Sequence, residues 1–180
     1  MQPQWHIQRR SNCCSATNKP FADGEIFHTQ LFREKSGLRR EDLSEEAWAS
    51  RTSELLPFSY WKSKYEKSIS HATPDPMARE SVEDLLRRLT LDDEPHTLHV
   101  RYILVLMLER KRILKPVDEK PSDEGRLLIY EHTKTGEAFL VIDPQLRLDQ
   151  IESIQTEVFD LLKGMTTPPA EAFPPSQTTT

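Results

Sequence analysis

The sequence predicts an α+β fold, with antiparallel strands in two hairpins, about four helices and a disordered C-terminal tail. Three observations carry that expectation. Two β-prone stretches, 25–40 and 126–143, each fold back across a turn; several segments place apolar residues at spacings of three and four; and the elements run strands, helices, hairpin, helix instead of alternating regularly. The 180 residues suit one domain plus a tail. The expected organisation is an α+β domain over 1–164, β-rich at 1–67 and helix–hairpin–helix at 75–164, then a disordered tail at 165–180.

The first strand follows Gly24, where Phe27, Thr29 and Leu31 share one face and Ile26, His28 and Phe32 disturb the alternation. Lys35-Ser36-Gly37 supplies a turn, and Leu38-Arg39-Arg40 returns as a short partner strand. Asp42 with Glu45 three residues on has the capping-box pattern, so a short helix carrying Ala47 and Trp48 should begin there and end before Pro57. Phe58 to Lys62 is aromatic and alternating, a third strand or an extended edge.

Ser68 to Pro76, rich in Ser, His, Thr and Pro, reads as a connector. Asp75-Pro76 then opens a helix whose inward stripe is Val82, Leu85, Leu86 and Leu89. Asp92-Asp93-Glu94-Pro95 restarts the chain, and a helix is expected from His96 to Lys115, apolar nearly all round its centre, with Pro116 as its stop. The second hairpin joins Arg126–His132 to Glu137–Asp143 across Thr133–Gly136, and apolar residues on both faces of both arms mark strands enclosed in a sheet. Asp149 with Glu152 caps the last helix, whose stripe is Ile151, Ile154, Val158, Leu161 and Leu162 and whose end is Gly164. The proline, threonine and serine beyond it offer almost nothing to bury.

With 29 acidic against 24 basic residues and a net charge of −5, the balance is that of an ordinary soluble protein, not of one built around a polyanion. No charged segment followed by an apolar run marks a secretory leader, and the run Ile103–Leu108 is far short of the roughly 20 residues a membrane span needs. A cytoplasmic location with reduced thiols is the expectation.

The most informative local feature is a pair of adjacent cysteines, Cys13 and Cys14, in the turn-rich stretch Ser11–Pro20. It has the look of half a zinc knuckle, yet a structural zinc needs four ligands and the chain has only these two cysteines. The candidate metal ligands are therefore Cys13, Cys14 and His28, with His6 on the other flank; no cofactor is expected, and zinc is the alternative they leave open. Their spacing matches no standard ligand ladder, which favours a structural thiol. A nucleophilic thiol would have Arg9 and Arg10 near it in sequence but no catalytic signature around it.

His96 and His99 could chelate an ion with His132 or Glu131, and Tyr130-Glu131-His132 could supply an acid or base, though no His-Glu-x-x-His pattern or named partner accompanies them. Arg110-Lys111-Arg112 and Lys115 fall in the last turns of the longest expected helix. There cations offset the dipole and bond free carbonyls, a stronger reading than phosphate binding in a chain without a glycine-rich loop. Arg9-Arg10, Arg39-Arg40 and Arg87-Arg88, with Trp5, Trp61 and Tyr60 as stacking partners, would make a nucleic-acid surface if folding united them. Acidic neighbours Glu41, Asp42, Glu83 and Asp84 favour mixed surface charge. Trp5, Trp48 and Trp61 read as core anchors, or as a protein-binding surface if exposed.

The turn Cys14-Ser15-Ala16-Thr17-Asn18, the strand start Gly24-Glu25-Ile26-Phe27, the helix Met107–Arg112 and the hairpin Thr135-Gly136-Glu137 together resemble a bacterial protein family of uncharacterised function, over most of the chain before the tail. The resemblance implies no activity, cofactor or catalytic residue. Asn18 stands where that family has glycine, and asparagine also tolerates the left-handed conformation. The expected function is a binding or adaptor module without a membrane partner, its partner unidentified and of protein type. The alternatives are a metal-dependent or thiol-based enzyme around Cys13, Cys14, His28 and His132, and weak nucleic-acid binding through the paired arginines.

Overall fold

β1 (Ile26–Glu34) is the middle strand of the first sheet, because its apolar residues fall on both faces and only a central strand can cover both. The chain is seen here as a computed structural model that describes residues 9–35, 37–52, 55–67 and 81–164. β2 (Gly37–Ser44) and β3 (Ser59–Lys64) flank β1 in the antiparallel order β2-β1-β3, with Thr29 opposite both Asp42 and Trp61. Thr29, Leu31, Leu38, Arg40, Asp42, Trp61 and Ser63 thus face inward, while His28, Gln30, Phe32, Glu41, Tyr60 and Lys62 face outward.

β2 is longer than expected, and Asp42 is not a helix cap. It lies within the strand and is buried, because the register places its carboxylate against Thr29 and Arg40. The cap of α1 (Glu45–Ala49) is Ser44, whose hydroxyl accepts the Ala47 N–H at 3.2 Å.

α2 (Val82–Asp92) begins after a reciprocal capping box between Ser81 and Asp84. The expected connector, the Asp75-Pro76 start and the tail lie outside the described residues. Asp93, with φ 46°, ends α2, and a 3₁₀ turn over Pro95–Thr97 feeds α3 (Leu98–Arg110). Leu85, Leu86 and Leu89 are buried on α2 as the spacing predicts.

α3 does not reach Lys115, and Pro116 does not stop it. The chain leaves the helix at Lys111 and enters a strand the sequence concealed, β4 (Leu114–Ser122). Pro116 and Pro121 are tolerated there because β4 is an edge strand whose register slips between Pro116 and Asp118. β5 (Gly125–His132) and β6 (Ala138–Asp143) complete a second antiparallel sheet in the order β4-β5-β6. α4 (Leu148–Gly164) starts one residue before Asp149, which is a first-turn residue instead of the cap, and buries Ile154 and Val158.

The two hairpins therefore belong to separate sheets, and the architecture is sheet on sheet on helices. Along β5 the pleat divides the load: Leu127 and Ile129 meet Leu31, Leu38 and Trp61 of the first sheet, while Tyr130 joins Phe139 and Val141 against α2, α3 and α4. Each fully buried Leu, Ile or Phe side chain contributes about 1.5–3 kcal/mol. Ser59 donates to Asp118 at 2.6 Å, Ser63 donates to Glu131, and Arg40 reaches the Gly136 carbonyl at 2.6 Å, so polar bonds also join the sheets. Among the described residues no helix is long and apolar enough to cross a membrane.

Candidate functional site

The cysteine turn closes on itself and docks on β2. Cys14 N–H donates to Lys19 O (2.9 Å), Asn18 N–H donates to Cys14 O (2.8 Å), and Asn18 takes the left-handed φ of 57°. Asp42 holds the turn through both its carboxylate, which accepts Ser11 N–H at 2.7 Å, and its carbonyl, which accepts Ser15 N–H at 2.8 Å. Cys14 is fully buried among Phe21, Phe27, Leu43, Ala47 and Tyr65, and Ser44 N–H donates to its sulfur at 3.4 Å. Burial alone would raise this thiol. The Thr17 hydroxyl and the N–H groups of Ser44, Thr17 and Ala16 outweigh it and bring Cys14 down to about 7. The sulfur thus has thiolate character without access. Cys13 is half-buried, its sulfur 3.5 Å from Ser11 Oγ.

His28, the third candidate ligand, is turned to an aromatic partner: its ring lies flat on Trp48, 4.6 Å between centroids and 4° between planes. His6 lies outside the described residues. Among the described residues, no three or more His, Cys, Asp or Glu side chains are grouped to hold a metal ion.

His132 is buried and fully engaged. Its Nδ1 accepts the N–H groups of Lys134 (3.2 Å) and Thr135 (3.1 Å), which places the proton on Nε2, where it faces Glu83 at 3.1 Å. A ring so committed orients the β5–β6 turn; neither nitrogen is open to a substrate proton. Glu131 is clamped by Lys115 at 2.8 Å and by Ser63. His96, on the 3₁₀ turn, and His99, in the first turn of α3, are both exposed and do not share one helix. The arginine pairs are divided: Arg39 pairs with Glu34 and Glu41, Arg40 is buried on Asp42, Arg87 holds Glu137 at 2.9 Å, and Arg10 lies over Tyr65.

What remains exposed and organised is the part of the first sheet's outer face around Tyr60 and Lys62, since Gln30, Phe32 and Leu43 on the same face are buried. Trp48 projects from α1 onto His28 and leans on Tyr60, 5.6 Å between centroids. Arg51 covers Trp48 with its guanidinium carbon 3.4 Å from the ring centre and donates to the Trp48 carbonyl at 2.7 Å. Tyr60 is 60% exposed, and Leu56, on the stretch leading into β3, is 92% exposed. Burial, reinforced by Lys62, holds His28 below its ordinary value, so a neutral ring is what stacks on Trp48. Lys62 in turn pairs with Glu45 at 2.6 Å at the edge of this patch. Of the tryptophans, Trp61 is instead a core residue between the sheets, and Trp5 lies outside the described residues.

A concavity of about 470 Å³ opens where Arg33, Leu98, Arg101 and Leu140 meet, and Arg101 in it is already paired with Asp93 at 2.8 Å. Compared with known proteins, the chain matches no family model, no curated protein and no solved structure. The stack of His28, Trp48 and Arg51 went unread in the sequence, since its members come from a strand, a helix and the loop after it. The one local signal was an arginine three residues beyond a helical tryptophan.

Proposed function

We propose that the chain is a protein-binding module whose contact surface is the outer face of the first sheet. The observation that carries this reading is the exposed Tyr60 set beside a pre-ordered stack of His28, Trp48 and Arg51. Trp, Tyr and Arg are the residue types that dominate protein interface hot spots. Because Trp48 is already held by His28 and Arg51, a partner would meet an ordered surface, and little side-chain entropy would be lost on binding. The same stack argues against a base-stacking platform, since the Trp48 ring is already covered. The Lys62–Glu45 pair supplies the polar rim such interfaces have.

The test is affinity capture from the native cell with the wild-type chain, followed by titration of the captured protein against Tyr60→Ala and Arg51→Glu. Each variant should weaken binding by about 2 kcal/mol, roughly 30-fold, with an unchanged circular dichroism spectrum. A partner that binds both variants as tightly as wild type refutes the reading.

A further inference from the structure

α3 ends in a Schellman arrangement: Arg112 N–H donates to Glu109 O at 2.8 Å and Ile113 N–H to Leu108 O at 2.9 Å. That geometry obliges Arg112 to adopt the left-handed conformation, and it does so at φ 58°. Glycine is the relaxed choice at this position, and any L side chain there is strained. The chain nevertheless places an exposed arginine at it, next to the exposed Arg110 and Lys111.

The β5–β6 turn is tied to the same end. Thr133 N–H donates to Ile113 O at 2.9 Å and its hydroxyl donates there at 3.1 Å, which brings the exposed Lys134 alongside. Arg110, Lys111, Arg112 and Lys134 thus crowd one end of the molecule, and none of the four pairs with a carboxylate among the described residues. The acids nearest them in sequence are turned elsewhere: Glu109 accepts the Tyr130 hydroxyl at 2.9 Å, Glu131 is held by Lys115, and Glu137 by Arg87.

Arg110 and Lys111 sit where cations offset the helix dipole, but hydrogen bonding to the helix end does not account for the cluster. The carbonyls of Met107, Leu108 and Glu109 are already taken by backbone N–H groups, and those of Arg112 and Ile113 by Thr133. We propose that this cationic end binds the phosphodiester backbone of nucleic acid, without sequence preference. Guanidinium groups match phosphate oxygens in paired hydrogen bonds. The two turns expose no large apolar side chain that would enter a bilayer or anchor in a protein pocket. The net charge of −5 on the chain as a whole confines the contact to this end. None of the four cations belongs to the aromatic face of His28, Trp48, Arg51 and Tyr60.

Fluorescence anisotropy of the full chain with a labelled DNA duplex and a labelled single-stranded RNA, across salt concentrations, tests it. Up to four phosphate contacts predict a log–log salt slope as steep as about −3 to −4 on duplex. Arg112→Gly is the decisive variant: it should raise Tm by about 2–8 °C, by relieving the left-handed strain, while reducing the salt slope by about 1. Arg110→Gln with Lys134→Gln should reduce the slope by about 2 at unchanged Tm. Absence of salt-dependent binding to either probe overturns the proposal, as does unchanged binding by Arg112→Gly. Tighter binding to polyglutamate or to phosphatidylserine vesicles than to nucleic acid also overturns it.

Discussion

Replacing Asp42 with asparagine should be among the most damaging isosteric changes available to this chain. The Asp42 carboxylate is 1% exposed and its partner Arg40 is 2% exposed, with Nε–Oδ1 at 3.0 Å. The carboxylate also accepts the Thr29 hydroxyl at 2.6 Å and Ser11 N–H at 2.7 Å. An asparagine must turn its NH2 toward either Ser11 N–H or the Arg40 side, and both are donors. In each orientation one bond is lost and the Arg40 cation stays buried without its counter-charge. Breaking a buried pair from one side costs about 3–5 kcal/mol. Against a total stability of about 5–15 kcal/mol this is a large fraction. At about 2–4 °C per kcal/mol for a chain of this size, Tm should fall by roughly 6–20 °C. Thermal unfolding followed by tryptophan fluorescence measures it. The companion variant, Arg40→Met with Asp42→Leu, removes both charges but strands the Ser11 N–H and the Gly136 carbonyl, so it should recover part of the loss and no more. A Tm for Asp42→Asn within about 2 °C of wild type would refute the reasoning, as would a double variant no more stable than the single one.

The two cysteines should differ sharply toward a thiol reagent near pH 8: Cys13 labels in the native state and Cys14 only on unfolding, because its thiolate, favoured at about 7, is sealed in the core. Mass mapping of the first labelled site decides this, and early labelling at Cys14 contradicts it. His28 makes stability pH-dependent with a definite sign. Its folded value lies below the ordinary 6.5, so the unfolded chain takes up the proton first, and stability falls as pH drops below about 6.5 toward the lowered folded value. His28→Gln should flatten that window in a pH series of urea midpoints, and an unchanged slope tells against the stacked neutral ring. At Gly125, with φ 131°, an added Cβ would meet the Asp143 carbonyl at 2.9 Å, so Gly125→Ala should cost about 1–3 kcal/mol. A neutral effect in the same unfolding assay would mean that the β4–β5 turn relaxes freely.

The parts of the fold legible in the sequence are those where burial leaves a period. The stripe Ile154 and Val158 on α4, the stripe Leu85, Leu86 and Leu89 on α2, and the two-faced apolar arms of β5 and β6 all stand where the spacing put them. β4 was hidden because an edge strand need bury little, and its Pro116, Asp118, Glu119 and Pro121 carry loop chemistry. The excess length expected of α3 has the same root: Ile113 and Leu114 extend an apolar pattern across a helix end that lacks its usual glycine, because Arg112 occupies the left-handed position. Asp42 imitated a cap since Asp-x-x-Glu fits the motif, and only strand register, set by Thr29 and Arg40 across from it, assigns the carboxylate to the interior. The Cys13–Cys14 turn was legible as a tight turn entering the first hairpin. What holds it down was not, because Asp42 and Ser44 lie some thirty residues away.

Those long-range ties explain why an α+β chain of this size commits so many polar groups to its interior. Hydrophobic contact between Leu31, Leu38 and Trp61 on one sheet and Leu127, Ile129 and Leu140 on the other is non-directional and leaves the sheets free to slide. The Ser59–Asp118, Ser63–Glu131 and Arg40–Gly136 bonds have fixed directions and select one placement. Arg40 carries the third of these constraints into the first sheet, since the guanidinium that reaches Gly136 in the β5–β6 turn is the one Asp42 orients, and Asp42 also anchors Ser11 and Ser15 on either side of the cysteines. The cysteine turn, the first sheet and the β5–β6 turn are therefore linked through one buried pair. Loosening Asp42 should be felt at both ends of that chain of contacts, first as exposure of the Cys14 thiol and then as loss of register between the sheets.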